Sequence, residues 1–283
     1  MRIKQTMSRE NKNRPKLIFY DIDGTLIDQN THRIPSSALK AMEQARERGC
    51  LNLINTGRTL CNRDPRLDRA PIDGWVMGCG TRIILGGETL MAFSRSEEES
   101  RRIRALCREI GLSVVYEADE AIWMEAEYPD AEPQILRMRE FSEKMCIGRT
   151  IPENGAGFSF IKMFTFDREG HRIQKLLETL GGRFEAIRRT DTGAGWELVP
   201  KGYSKGTGID AVRKKLGVPL EDCYVIGDSQ NDLTMLTHVP NSIAMGNAEP
   251  EVQAVCAYVT APVEEDGIAK ALAHFSLAEW PEG

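Results

Sequence analysis

The residues best able to do chemistry in this sequence are four carboxylates, a hydroxyl and a lysine, set in short clusters that lie far apart along the chain. Asp21 and Asp23 open Asp21-Ile22-Asp23-Gly24-Thr25, and Thr56-Gly57-Arg58 follows. Lys205 stands in Lys201-Gly202-Tyr203-Ser204-Lys205-Gly206, and Asp228 and Asp232 fall in Gly227-Asp228-Ser229-Gln230-Asn231-Asp232. An isolated Asp-x-Asp-Gly most often marks a turn or a helix cap. A calcium loop is excluded, because Leu26 occupies the sixth position, where such a loop needs glycine. The second acidic cluster changes the weighing. Four carboxylates brought to one place would repel by roughly 4 kcal/mol per close ionised pair at an effective dielectric near 20, so a cation is needed to hold them. All-oxygen ligation selects magnesium over zinc. Lys205 begins a helical pattern behind a candidate Ser204 cap, where its charge opposes the helix dipole unless an anion shares the site. A phosphate group is such an anion.

These clusters can meet only if the elements before them end at one rim. Apolar runs at Lys16 to Tyr20, Leu51 to Asn55, Trp75 to Gly78, Cys223 to Gly227 and Ser242 to Met245 read as strands. Helical periodicity at Pro35 to Arg48 and Lys205 to Leu216 falls between them. This alternation predicts an α/β fold with a doubly wound parallel sheet, in which ligands bind beyond the carboxyl ends of the strands. The acidic clusters and Thr56 all follow strand ends.

The middle of the chain reads differently. Helices at Glu97 to Ile110, Gln134 to Met145 and Arg172 to Leu180 alternate with strands at Leu112 to Tyr116, Ala121 to Glu125, Ser159 to Phe166, Phe184 to Arg189 and Trp196 to Val199. Short loops between strands predict an antiparallel sheet with helices on one face, an α+β domain inserted into the first. The expected division is a loose tail over residues 1–15, a core over 16–85 and 198–283, and an inserted domain over 86–197. Gly86-Gly87 and Pro200-Lys201-Gly202 read as hinges.

Composition narrows the function classes. The chain has 283 residues, 41% hydrophobic and 28% charged, which suits a globular protein with two domains and a sizeable core. A net charge of -5 and a pI near 5.6 argue against nucleic-acid binding. The arginines from Arg101 to Arg108 read as the solvated side of a helix among Glu97, Glu98, Glu99 and Glu109. Seven scattered cysteines without a Cys-x-x-Cys pair suggest neither a disulfide framework nor zinc, and fit a reducing cytoplasm. The polar, basic opening is not a signal peptide, and no apolar run is long enough for a membrane span. His32, His171, His238 and His274 have no metal-ligand spacing. Trp123, on a strand, reads as core before it reads as a substrate contact.

In the order and spacing of these motifs the chain resembles the haloacid dehalogenase superfamily of phosphatases, and more narrowly its Cof-type members with a large inserted cap. Asp21-Ile22-Asp23-Gly24-Thr25-Leu26 is similar to the first motif, Thr56-Gly57-Arg58 to the second, Lys205-Gly206 to the third and the Gly227 to Asp232 segment to the fourth. Glu197-Leu198-Val199-Pro200 resembles the return from cap to core, and Asp266-Gly267-Ile268-Ala269 the closing segment. One departure follows the third strand, where the family often has Asn-Gly-Ala and this chain has Cys79-Gly80-Thr81.

The resemblance implies that Asp21 is a nucleophile forming an aspartyl-phosphate. It implies that Asp23 is the acid and base for the leaving group and water, and that Mg²⁺ is held by Asp21, the Asp23 carbonyl and Asp228. Thr56, Gly57, Lys205 and Asn231 would bind the phosphoryl group, with Asp232 supporting. Arg58 is as well explained by a salt bridge. The substrate class so implied is a small phosphorylated metabolite such as a sugar phosphate, with cap residues selecting it. A phosphomutase of the same superfamily is an alternative. So is a non-enzymatic phospho-acceptor domain, although Asp23 and the large insert argue against that. Oligomeric state is left open.

Overall fold

A computed structural model of the chain describes residues 14–128, 132–189 and 194–279. Most of the expected tail, residues 1–13, lies outside the described residues. The chain divides into two compact units, one of residues 1–57, 64–92 and 204–283 and one of residues 58–63 and 93–203.

The first unit is built on an eight-stranded sheet. Its first five strands are β1 (Leu17–Tyr20), β2 (Leu51–Asn55), β3 (Gly74–Met77), β4 (Arg82–Leu85) and β5 (Glu88–Ala92). After the second unit the sheet resumes with β12 (Cys223–Gly227), β13 (Asn241–Ala244) and β14 (Tyr258–Val259). The order is β14-β13-β12-β1-β2-β3-β4-β5, parallel from β14 to β3. β1 runs apolar without alternation because both of its faces are covered. Ile18 and Tyr20 join one buried cluster with α1 (Ser36–Glu47), while Leu17 and Phe19 join another on the opposite face. Tyr224 and Ile226 of β12 divide from Cys223 and Val225 in the same way. From β1 the chain winds outward through β2 and β3, and later outward on the other side through β13 and β14. The order therefore reverses between β1 and β12, the place where such sheets open a ligand crevice.

The structure departs from expectation at Gly86-Gly87. These residues are the turn of an antiparallel hairpin joining β4 to β5, with Leu85 paired to Glu88 and φ of 58° and 84° at the two glycines. Two consecutive positive φ values are the signature of a hairpin turn, so a Gly-Gly read as a hinge is a sheet corner. Residues 86–92 thus belong to the first unit, and the second resumes at Phe93.

The second unit has a six-stranded sheet. Its strands are β6 (Val114–Glu117), β7 (Ile122–Met124), β8 (Gly148–Thr150), β9 (Lys162–Phe166), β10 (Phe184–Arg189) and β11 (Gly195–Pro200), in the order β10-β11-β9-β6-β7-β8. The α+β reading holds, with two changes of detail. β7 and β8 pair in parallel, because α3 (Pro133–Lys144) carries the chain across between them. α3 also packs on the face opposite the other helices: its Ile135 meets Val115, Ile122, Met124, Phe164 and Phe166. α2 (Glu97–Ile110) and α4 (His171–Thr179) instead cover Val114, Tyr116 and Met163. Trp123 lies in that cluster, 5.9 Å from the Phe158 ring, and is core. Arg104 is not on a solvated side: it is buried, and its Nε and Nη2 donate to Glu125 at 2.8 and 2.6 Å.

Candidate active site

Asp21 directly follows β1, and its amide donates to the carbonyl of Ile226 at 3.0 Å, so the β1–β12 register runs on into the loop. The loop closes on itself. Gly24 N donates to Ile27 O at 3.0 Å and Ile27 N to Ile22 O at 2.8 Å, while Ile22, Leu26 and Ile27 are buried in the core. This anchoring leaves Asp21 buried and Asp23 exposed. Gly24 has φ of 84°, and a Cβ on it would stand 2.3 Å from Asp228 Oδ2. Gly24→Ala is therefore expected to push Asp228 out of place, on top of a left-handed backbone cost of about 1–2 kcal/mol. A Tm below that of wild type is the expected result, and a wild-type Tm would show that the loop yields without harm.

Lys205 is the first residue of α5 (Lys205–Leu216). The helix start is fixed by a reciprocal cap, in which Thr207 N donates to Ser204 Oγ at 3.1 Å and Ser204 N to Thr207 Oγ1 at 2.9 Å. The Lys205 side chain is fully buried, and its Nζ donates to Asp21 Oδ1 and to Asp232 Oδ1, each at 2.5 Å. The other oxygen of Asp232 accepts from the amides of Asp228 and Ser229, both at 3.0 Å. Asp232 is thereby a joint: one oxygen orients the lysine and the other shapes the loop that carries Asp228. Gly227 permits this closeness, since a Cβ there would lie 2.7 Å from the Asp232 carboxyl. Thr25 Oγ1 donates to Asp228 Oδ1 at 2.7 Å.

Asp21, Asp228 and Asp232 offer carboxylate oxygens that all lie within 4.8 Å of one another. The Asp23 carboxylate is not part of that group. Three carboxylates against one ammonium leave an excess of negative charge in a buried place. Burial, followed by the field of Asp232, raises Asp21 to about 7 against the opposing pull of Lys205. Burial, then Asp232 and Asp21, raises Asp228 to about 8. Burial alone would lower Lys205, but Asp21 and Asp232 outweigh it and hold the ammonium above its ordinary range. Asp232 commits both oxygens to protein donors, whereas Asp21 and Asp228 each keep one oxygen outside the bonds described above. A hard divalent cation fits these two oxygens and the surplus charge.

Of the remaining expected residues, Thr56 follows β2 and is buried, with its amide donating to Val76 O at 2.9 Å and its carbonyl accepting from Cys79 N at 3.1 Å. Gly57 ends the first segment of this unit, and Arg58 belongs to the second unit. Asn231 is buried, and its Oδ1 accepts from Ser229 Oγ at 2.7 Å. Gly78, Cys79 and Gly80 have φ of 55°, 56° and 89°. That conformation suits the asparagine of the family pattern better than cysteine. The turn serves packing as well, since a Cβ on Gly80 would lie 2.4 Å from Ser204 O, at the cap of α5. None of the four histidines belongs to the acidic group. His238 pairs with Asp210 at 3.1 Å, His171 with Glu169 at 3.3 Å, and His274 stacks on Tyr258.

Two residues escaped the sequence reading. Asn247 Nδ2 donates to Gly24 O at 2.8 Å, and its Oδ1 accepts from Val263 N at 3.2 Å, so it braces the Asp21 loop from beyond the end of β13. Asn55, the last residue of β2, is buried and bonded to the backbone of Lys205. Both stand at or just past strand ends, the position that flagged the acidic motifs.

A family model described as haloacid dehalogenase-like hydrolase matches residues 18–272. The HMP-PP phosphatase of Klebsiella pneumoniae is 29% identical over 271 residues, covering 94% of this chain and 95% of that protein. The 5-amino-6-(5-phospho-D-ribitylamino)uracil phosphatase YcsE of Bacillus subtilis is 26% identical, covering 93% and 96%. A solved sugar phosphatase of HAD subclass IIB superposes with a TM-score of 0.78 at 32% identity, covering 93% of this chain and 99% of its own.

Proposed function

The chain belongs to the haloacid dehalogenase-like hydrolases, and from that premise we propose that it is a magnesium-dependent phosphatase acting on small phosphomonoesters through an aspartyl-phosphate on Asp21. The observation that carries this reading is the Asp21 carboxylate at the end of the central strand, held by a buried lysine at 2.5 Å and grouped with Asp228. An oxygen of Asp21 attacks phosphorus, and the ester P–O bond breaks as Asp23 gives its proton to the departing oxygen. Asp23 then takes a proton from water as that water attacks the phosphorus, which releases phosphate and restores Asp21. Lys205 balances charge on the phosphoryl oxygens, and Thr56 and Asn231 supply hydrogen bonds to them. The carboxylates of Asp21 and Asp228 with the Asp23 carbonyl would hold Mg²⁺, which when bound neutralises the nucleophile against the phosphate dianion.

Relatives described as acting on HMP-PP, on a ribitylaminouracil phosphate and on sugar phosphates support a small phosphorylated metabolite as substrate, a sugar phosphate first. Selection among such esters is assigned to the second unit, and a cytoplasmic setting belongs to the same proposal. No helix among the described residues is long and apolar enough to cross a membrane. The test is release of inorganic phosphate from a panel of phosphomonoesters, with Mg²⁺ and then with excess EDTA. Turnover on at least one ester, abolished by EDTA and restored by Mg²⁺, is expected. Undiminished turnover in EDTA removes the metal assignment, and inactivity on every ester with Mg²⁺ removes the phosphatase reading.

A further inference from the structure

β2 lays Leu51 and Leu53 against a cluster that contains Ile209, Val212 and Met235. Strand alternation puts Asn55 on that same face, and it is fully buried there. Its Nδ2 donates to the main-chain carbonyl of Lys205 at 3.0 Å and to Met235 Sδ at 3.5 Å, while its Oδ1 is buried with no hydrogen-bond partner among the described residues. An unpaired buried acceptor is destabilising. A leucine of similar size would avoid that penalty among these apolar neighbours, so packing does not account for the amide. The bond to Lys205 does.

The turn that this bond grips is also held from two other sides. A Cβ on Gly206 would lie 2.3 Å from the carbonyl oxygen of Thr234, and one on Gly208 would lie 2.4 Å from Val76 Cγ1. Those contacts limit how far the turn can approach its neighbours, but they are non-directional. The Asn55 bond supplies a direction. Direction matters because Lys205 Nζ must meet Asp21 and Asp232 together, at the end of a four-carbon side chain that magnifies any drift of its own backbone.

We propose that Asn55 is a positioning residue for phosphoryl transfer, which holds the carbonyl of Lys205 so that the ammonium stays between Asp21 and Asp232. The inference rests on the phosphatase reading for what Lys205 does. It goes beyond that reading in assigning a role to a residue outside the four motifs, one kept at some expense in stability.

The test is Asn55→Leu in the full chain, which removes the donor and the unpaired acceptor together. The expected result is a fall in kcat of about tenfold, a change in KM of less than about twofold, and a Tm equal to or above that of wild type. A lower Tm with wild-type kcat in the folded fraction would make Asn55 a packing residue and overturn the proposal. Asn55→Ser, whose hydroxyl falls one bond short of the lysine carbonyl, is the second variant should the leucine protein fail to fold. The same loss of kcat is expected of it, and wild-type kcat in either folded variant rejects the positioning role. Wild-type protein that releases no phosphate from any ester overturns the phosphatase reading instead, so the two failures are told apart.

Discussion

Asp21→Asn is expected to keep the fold and lose phosphate release by at least about a thousandfold, the scale on which enzymes lose turnover when a covalent nucleophile is removed. The amide matches the carboxylate in size and can still accept from Lys205, but it cannot attack phosphorus. The substitution also makes a statement about stability. Asp21 stands at about 7 in the folded protein, well above an unfolded aspartate, chiefly because burial and then Asp232 disfavour its charged form. A folded state that binds the proton more tightly than the unfolded state loses stability as pH rises between the two values. Metal-free wild type should therefore show a Tm that falls from pH 5 to pH 8, and the Asp21→Asn protein should show a shallower fall. Circular dichroism melts and a phosphate-release assay measure both effects. Activity above a tenth of wild type would remove Asp21 as nucleophile.

Lys205→Met is expected to cost about 3–5 kcal/mol of stability, because it leaves two buried carboxylates without the cation that both now contact. Methionine keeps an unbranched chain of similar length, so the loss reports charge more than volume. Acid should narrow the deficit by protonating Asp21, which loses its ammonium partner, and Mg²⁺ should recover part of it by restoring positive charge at the site. Turnover should fall as well, even at a temperature where the variant is fully folded, since in the proposed reaction the phosphoryl oxygens lose their balancing charge. Chemical denaturation at pH 5 and pH 8, with and without Mg²⁺, gives the numbers. A variant as stable as wild type at pH 8 would show that the Asp21 and Asp232 carboxylates do not depend on Lys205.

Much of the first unit is legible in the sequence for a simple reason. Strands such as Leu17–Tyr20 and Cys223–Gly227 are buried on both faces, so their composition alone identifies them. The boundary at Gly86-Gly87 failed because one dipeptide serves both hinges and hairpin turns, and only the pairing of Leu85 with Glu88 separates the two. β8 was missed because Gly148, Arg149 and Thr150 carry no apolar residue; α3 gives that strand its place. At the site, the acidic motifs and Thr56 were readable because each follows a strand end, and Lys205 because it opens a helix behind its Ser204 cap. The division of labour among the acids was not. Asp232 spends one oxygen on Lys205, far along the chain, and the other on amides beside it, an arrangement that spacing does not encode. Asn55 was hidden because it belongs to no motif, and its bond to the Lys205 carbonyl joins residues 150 positions apart.

The central position of β1 bears on how this protein comes off the ribosome. Its Leu17 pairs with Cys223, about 200 residues later, so one edge of the strand that leads into Asp21 has no partner until those residues have been made. At roughly 5–20 residues per second that interval is on the order of 10–40 s. Throughout it, four consecutive apolar residues and a row of unpaired backbone groups lie within a nascent chain, the kind of segment on which chaperones act and from which misassembly begins. The long sequence separation also predicts slow refolding of the first unit, while the second unit, complete before β12 is made, can fold ahead of it.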